Sequence, residues 1–348
     1  MKTATDSSAP RTLLLGKTLY AGTRTPEDSM TPQPLSRRKF LATTSFAASA
    51  FWFNPRSLFA QAPTAVPAVV AEGRAAGAKA KITTQPLRRN VSALLGSGGN
   101  IAVLPGTDGK LLIDSGYATS QPQLTAALAA LSADPIHHLI NTHWHFDHTD
   151  GNDWVHSAGA TILAQVNTKT RLSTTQTIAA FNATIPPSPA GAIPTETFTD
   201  TKTLHLNGTT LHLAYYGPAH TDTDISIHFP DADVLHVGDT WFNGFYPFID
   251  YSTGGSINGM IRATEKNLAA VGANTIIIPG HGPIGNKAQL TEYHSVLVFA
   301  RDKVAALKQQ GKTLPEVVAA RPTALYDDKW GGGAKGAAAF IGYVYQGV

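Results

Sequence analysis

Three imidazoles and a carboxylate fall within six residues, His143-Trp144-His145-Phe146-Asp147-His148, directly after an apolar run at 136–141. A packed core has no use for such a grouping, because every ring brings polar nitrogens that must find partners on burial. If 136–141 is a buried strand, the cluster sits on the loop where that strand ends. His143 and His145, two apart in extended chain, then point the same way, while Asp147 and His148 fall past the bend and face a second position. A lone histidine is more often structural or exposed, but four ligand-type side chains together point to a metal site. Neutral imidazole and carboxylate suit zinc first, and iron or manganese next.

Three later segments repeat one design, an apolar strand running into a permissive turn that carries a ligand-type side chain. They are Tyr216-Gly217-Pro218-Ala219-His220-Thr221-Asp222, Val234-Leu235-His236-Val237-Gly238-Asp239-Thr240 and Ile276-Ile277-Ile278-Pro279-Gly280-His281-Gly282. Glycine at a strand end alone signals only a turn. Recurrence beside the 143–148 cluster makes His220, Asp239 and His281 further candidates.

With these motifs in order, preceded by Asp114-Ser115-Gly116 after a strand, residues 90–282 resemble the metallo-β-lactamase superfamily. The resemblance implies an α/β fold, a four-layer αβ/βα sandwich with its ligands on loops at one edge. It also implies that His143, His145 and His220 hold one metal, that Asp147, His148 and His281 hold the other, and that Asp239 bridges them. Two Zn2+ per chain are expected, with Fe or Mn as alternatives. Asp114 matches the carboxylate that supports the metal loop from behind, and Asp147 is the expected catalytic group. An aspartate at 239 and the absence of cysteine exclude the zinc β-lactamases with a cysteine at that place. They suggest instead the branch of glyoxalase II, lactonases and phosphodiesterases. No glycine-rich phosphate loop for a flavin domain is visible, and nothing suggests the inserted domains of the ribonuclease branches.

Two adjacent cations lower the pKa of water to near neutrality, about eight units below bulk. The expected activity is therefore hydrolysis of a small carbonyl substrate, a β-lactam or lactone. A glyoxalase II-like thioester hydrolase is the rival. A metal-binding accessory protein of a periplasmic oxidation system is the reading without catalysis.

Charge is unevenly placed. Residues 1–62 hold eight of the 27 Lys and Arg but only three of the 24 Asp and Glu, so the remainder is net −2 and the overall +3 belongs to the leader. A nucleic-acid binder keeps its basicity in the folded part. Ser36-Arg37-Arg38-Lys39-Phe40-Leu41 resembles a twin-arginine export motif. It precedes an apolar run at 41–53, too short for a permanent membrane anchor, and the small residues of Ala60-Gln61-Ala62. The expected partners are a small-molecule substrate, the twin-arginine export machinery and a signal peptidase cutting after Ala62. The expected location is the periplasm, where a chain without cysteine avoids stray thiol chemistry. Residues 1–29 lack periodicity, and Met30 is the expected true start.

The organisation expected is a leader at 1–62, an Ala/Pro/Gly linker and N-terminal extension at 63–87, poorly ordered at 63–77, and a catalytic domain at 88–348. Strands are expected at 91–95, 101–104, 110–114, 161–164, 209–215, 225–229 and 275–278, and helices at 121–131, 154–158, 166–180, 259–271 and 290–308. Residues 185–194 read as a loop over the site. Trp241, Asn243 and Tyr246, directly after Asp239, are the candidate pocket residues, with Asn243 or Tyr246 as oxyanion donors.

Overall fold

The computed structural model describes residues 66–332 and 334–348. The leader, its arginine pair and the cleavage site lie outside the described residues. In chain order the elements are α1 (Ala68–Gly77), β1 (Thr83–Pro86), β2 (Ser92–Leu95), β3 (Ile101–Leu104), β4 (Lys110–Ile113), α2 (Gln121–Leu131), β5 (Ile136–Ile140), α3 (Phe146–Thr149), α4 (Asn152–Ser157), β6 (Thr161–Gln165), α5 (Val166–Ser173), β7 (Gln176–Ile178), β8 (Ala183–Ile185), β9 (Glu196–Phe198), β10 (Thr201–Leu206), β11 (Thr209–Tyr215), β12 (Ile225–Phe229), β13 (Val234–His236), α6 (Ile257–Ala269), β14 (Ile276–Ile278), β15 (Gly285–Asn286), α7 (Lys287–Gln309), α8 (Leu314–Ala320), α9 (Ala324–Trp330) and α10 (Ala334–Gln346).

Two sheets dominate, in the orders β1-β2-β3-β4-β5-β6-β9 and β10-β11-β12-β13-β14-β15. Successive side chains on a strand face opposite ways, and here both faces are apolar. From β4, Leu111 and Ile113 pack between the sheets against Leu213, Ile227 and Val234, whereas Leu112 turns to the outer side with Leu124 and Leu128 of α2. In the other sheet Val234 and Ile278 face inward, while Leu235 and Ile277 face Met260 of α6, Leu290 and Leu297 of α7 and Phe340 of α10. Three apolar seams therefore separate four layers, helix, sheet, sheet, helix. Each buried Leu or Ile contributes about 1.5–3 kcal/mol, so the strands form a firm base for the loops above them.

Strand direction decides where those loops gather. β4, β5 and β6 are parallel neighbours, and β13 is parallel to β14. β11 is antiparallel to β12, which is antiparallel to β13, so β11 runs the same way as β13. The carboxyl ends of β4 and β5 in one sheet, and of β11, β13 and β14 in the other, carry Asp114, the 143–148 segment, His220, Asp239 and His281. Ile225 N–H donates to Thr142 O and Asn100 N–H to Gly280 O, tying the two halves together at that edge.

Several expectations need correction. The stretch expected to be a poorly ordered linker carries α1, whose Gly73 and Gly77 lie against Tyr117, and β1 pairs with β2. The helix expected at 166–180 stops at Ser173, and β7 follows. Thr174, Thr175 and Thr177 are β-branched and favour extended chain. Residues 185–194 are fastened along α4 and α5, with Asn152 Nδ2 donating to Ala192 O and Ser188 N–H to Leu172 O. The carboxyl-terminal segment packs on the sandwich, burying Trp330, Phe340 and Val344.

Candidate metal centre

β5 ends at Ile140, and the loop beyond it is held by a reciprocal amide pair. Asn141 Nδ2 donates to Asn152 Oδ1 at 3.0 Å, and Asn152 Nδ2 donates back at 2.8 Å. The chain stays extended through His145 (φ −60°, ψ 147°) before α3 begins. Alternation then sends Trp144 away to the buried cluster with Leu172 and Ile178, and brings the His143 and His145 rings to 5.0 Å of each other.

His143, His145, His220 and Asp239 form one group and Asp147, His148 and His281 a second. Within each, one nitrogen or oxygen per residue lies within 4.8 Å of the others. Asp239 faces both. Its Oδ1 is 3.1 Å from His148 Nε2, and its Oδ2 is 3.3 Å from His220 Nε2 and 3.4 Å from His281 Nε2. Asp147 Oδ2 lies 3.2 Å from His281 Nε2. All seven sequence-derived candidates therefore come together.

Hydrogen bonds behind the rings fix which nitrogen faces inward. Asp114 Oδ1 accepts from Thr142 N–H, and its Oδ2 accepts from Thr142 Oγ1 and from His148 Nδ1, each at 2.7 Å. The Thr142 hydroxyl, its proton engaged, accepts from His143 Nδ1 at 3.0 Å. His220 Nδ1 donates to Phe248 O at 2.8 Å, and His145 Nε2 donates to Asp250 Oδ2 at 3.1 Å. In the neutral rings, each donor spent outward leaves a lone pair inward, on Nε2 of His143, His148 and His220 and on Nδ1 of His145. The facing His145 Nδ1 and His220 Nε2 are 2.8 Å apart. Two lone pairs so close repel unless a proton or a metal ion lies between or beside them. His143 Nε2 and Asp239 Oδ1 are also buried without a hydrogen-bond partner. The donor set thus suits a divalent metal.

Electrostatics agree. Burial, reinforced by the His148 charge, holds His143 well below the ordinary imidazole value, and burial holds His220 down at about 4. Burial would also lower His148 and His281, but Asp239 and Asp147 outweigh it, raising His148 well above the ordinary value and His281 to about 9. Burial would raise Asp239, yet His281, His148, His143 and His220 push it well below the carboxylate range. Burial opposes His148 and His281 likewise at Asp147, which they hold at about 2. The carboxylates at this edge therefore attract positive charge, which a divalent ion supplies more compactly than protons do. Only Asp147 and His281 reach the mouth, with side chains 19% and 22% exposed. The other ligand candidates form a sealed floor.

The surroundings contain residues that sequence reasoning missed. Asp250 lies behind His145. Burial would raise it, but His145 and Thr253 hold it at about 2. Asp224, pushed up to about 7 by burial, accepts from Thr221 N–H beside His220. Asp114 adopts φ +67°, a left-handed conformation that, glycine apart, asparagine and aspartate accept more readily than most residues. Glycines admit the ligands: a Cβ at Gly99 would fall on the His148 ring, and one at Gly280 on Asp239 Oδ1. The Gly-containing turn at 280 was visible in the sequence, but its close contact with Asp239 was not. Gly280→Ala should displace Asp239 and weaken metal retention at least about tenfold, as loss of a ligand's support typically does. Chelator competition measures this, and unchanged retention would contradict it.

The candidate pocket residues are not where chain proximity suggested. Trp241 is fully buried in the core under α7. Asn243 Nδ2 donates to Pro283 O, and the Tyr246 hydroxyl donates to Asp327 Oδ1 while its ring stacks on Phe340. Asn243 and Tyr246 thus already spend donors on partners away from the ligand groups. Other aromatic rings flank the centre instead. Phe248 lies 5.9 Å from His145 and 5.6 Å from His220, and Phe242 stacks on His281 at 5.3 Å. His236 stays apart, bonded to Asn100 O.

Comparison with known proteins agrees with this architecture. A metallo-β-lactamase from Pontibacter korlensis superposes with a TM-score of 0.51 at 18% identity, covering 63% of this chain and 99% of that one. The DIM-1 metallo-β-lactamase gives 0.50 at 20% identity, with 63% and 98% covered. These likenesses concern the fold. Among curated proteins, the 2,4-dinitroanisole O-demethylase subunit alpha of Nocardioides sp. (strain JS1661) is 27% identical over 174 residues, 47% of each chain. The chain thus spans about half the length of that relative. Residues 95–281, from the end of β2 to the last of the ligand-type histidines, match the family described as the metallo-beta-lactamase superfamily, and the chain belongs to it.

Proposed function

We propose that the protein is an exported, dinuclear metal hydrolase that opens a small carbonyl compound, a β-lactam or lactone being the leading class. The observation that carries this reading is Asp239, buried between the two groups with one oxygen 3.1 Å from His148 and the other 3.3 Å from His220. His143, His145 and His220 would hold one ion, Asp147, His148 and His281 the second, and Asp239 would be shared. Zinc is the expected element, with iron or manganese as alternatives. When bound, such ions supply an activated water and polarise the substrate carbonyl.

The chain's own residues do the rest. Asp114, Thr142, Asp250 and the Phe248 carbonyl hold four imidazoles in the required tautomers. Asp147, at the mouth, is placed to orient the attacking water and take its proton. In the reaction, the water oxygen joins the acyl carbon, the acyl–oxygen or acyl–nitrogen bond breaks, and the leaving group takes up the proton that Asp147 carried. The test is hydrolysis of nitrocefin, a lactone panel and a glutathione thioester by the purified chain with metal content measured. Opening of nitrocefin or a lactone, abolished by chelation, supports the reading. Thioester cleavage alone favours the glyoxalase II-like alternative.

A second reading draws on the relative named as subunit alpha of an O-demethylase. Here the chain binds metal as one component of an assembly and needs a partner chain to act. Metal-loaded protein inert on all three substrates, but active with added cell extract, would favour it.

Export rests on the arginine pair of the leader. Replacing both Arg37 and Arg38 by lysine is expected to keep the precursor in the cytoplasm, since lysine lacks the planar fork of guanidinium. Cell fractionation measures it, and undiminished periplasmic protein would contradict this route.

A further inference from the structure

Building on the hydrolytic reading, we infer that the substrate carries an aryl group and that this ring is received between two aromatic walls at the mouth of the centre. The first wall is Phe248, nearly parallel to His145 (28° between planes) and edge-on to His220, with Phe181 leaning on it at 4.8 Å and Tyr343 of α10 at 5.3 Å. The second is Phe242, stacked on His281 at 20° and 5.7 Å from His220, with Phe245 edge-on to it at 5.6 Å. Phe242 and Phe248 each pack on the buried His220 ring, so both walls stand directly beside the ligand groups.

The outer member of each wall stands in water. Phe181 is 36% and Phe245 39% exposed, and they are the exposed aromatic residues among the large hydrophobics of the described residues. Exposed phenylalanine faces lose free energy to water unless something apolar covers them. Rings prefer offset or edge-on partners over alkyl chains of equal area. No described lysine lies over these rings, the cation–ring pairs being at Phe299, Tyr345 and Trp330. The walls thus offer uncharged flat faces, while Asp147 and His281 at the mouth meet the polar, scissile end. Tyr343 and Phe181 come from elements outside the turns that carry the ligands, so this wall is separable from metal binding.

The test uses the zinc-loaded chain with γ-phenyl- and γ-propyl-γ-butyrolactone, and calorimetric binding of phenylacetate and hexanoate. The wild type is expected to prefer the phenyl lactone in kcat/KM, and phenylacetate in Kd, by about tenfold. Phe181→Ala and Phe245→Ala should each lower that preference about fivefold with metal content unchanged. Phe181→Leu and Phe245→Leu, which keep apolar volume and fold but remove the ring, should lower it as well. Hydrolysis without aryl preference in either assay, or a preference undiminished in all four variants, overturns the inference and leaves the hydrolytic reading standing. Tighter phenylacetate binding that weakens in the variants, with neither the lactones nor nitrocefin opened, upholds the aryl site and overturns the hydrolytic reading.

Discussion

Asp239→Ala is expected to lower hydrolysis by about a thousandfold or more and to leave the purified chain short of metal, because one side chain serves both ligand groups. The carboxylate is 4% exposed and lies within 3.1–3.8 Å of nitrogens on His148, His220, His281 and His143. Its removal leaves four converging imidazoles with no shared anion. Asp239→Asn is the sharper variant. It keeps the shape and one acceptor oxygen but loses the charge that balances the cluster, and should fall nearly as far. Full activity in Asp239→Asn would show that the two groups work independently.

Asp147→Asn is expected to act differently. Asp147 is at the mouth and belongs with His148 and His281 to the second ligand group. Metal in the His143, His145 and His220 group should persist and thermal stability should be largely retained. Turnover should nevertheless fall by about a hundredfold, the lower end of what a positioned proton carrier contributes. His143→Ala, by contrast, removes a fully buried ligand and should empty the first group outright. Rates, metal content and melting temperature measured on both variants separate proton handling from metal holding. Near-full hydrolysis by Asp147→Asn with both ions bound would remove Asp147 from the proton-carrying role.

The ligand set was legible because its signals are local. His143 to His148 are neighbours in sequence, and His220, Asp239 and His281 each close an apolar strand at a turn. The sandwich was legible for a related reason, since strands such as 110–113 and 276–278 are apolar on both faces and so must be covered on both. What sequence hid depends on contacts across the fold. Asp250 carries no motif, and only the third dimension sets it behind His145, 105 positions away. Gly99 and Gly280 look like ordinary turn residues until the His148 ring and Asp239 are seen pressed against them.

The pocket was misread for the same reason. Trp241 and Tyr246 follow Asp239 in the chain, but the turn after β13 points them down into the helical layer, and Phe242 between them takes the place beside His281. Phe181, Phe248 and Tyr343, far apart in sequence, supply the other wall. At the amino-terminal side, alanine and glycine suggested flexible chain. Yet alanine is the strongest helix former, and the salt bridge from Arg74 to Asp150 fastens α1 beside the metal loop.

The number of ions the native chain binds decides between one shared centre and a single-ion site. Elemental analysis of protein purified without added chelator, with protein concentration from amino-acid analysis, is predicted to give two zinc, iron or manganese ions per chain. Asp239→Ala should fall well short of that. One ion per chain in a fully active preparation, with His148 and His281 replaceable at no loss of metal, would contradict the dinuclear centre.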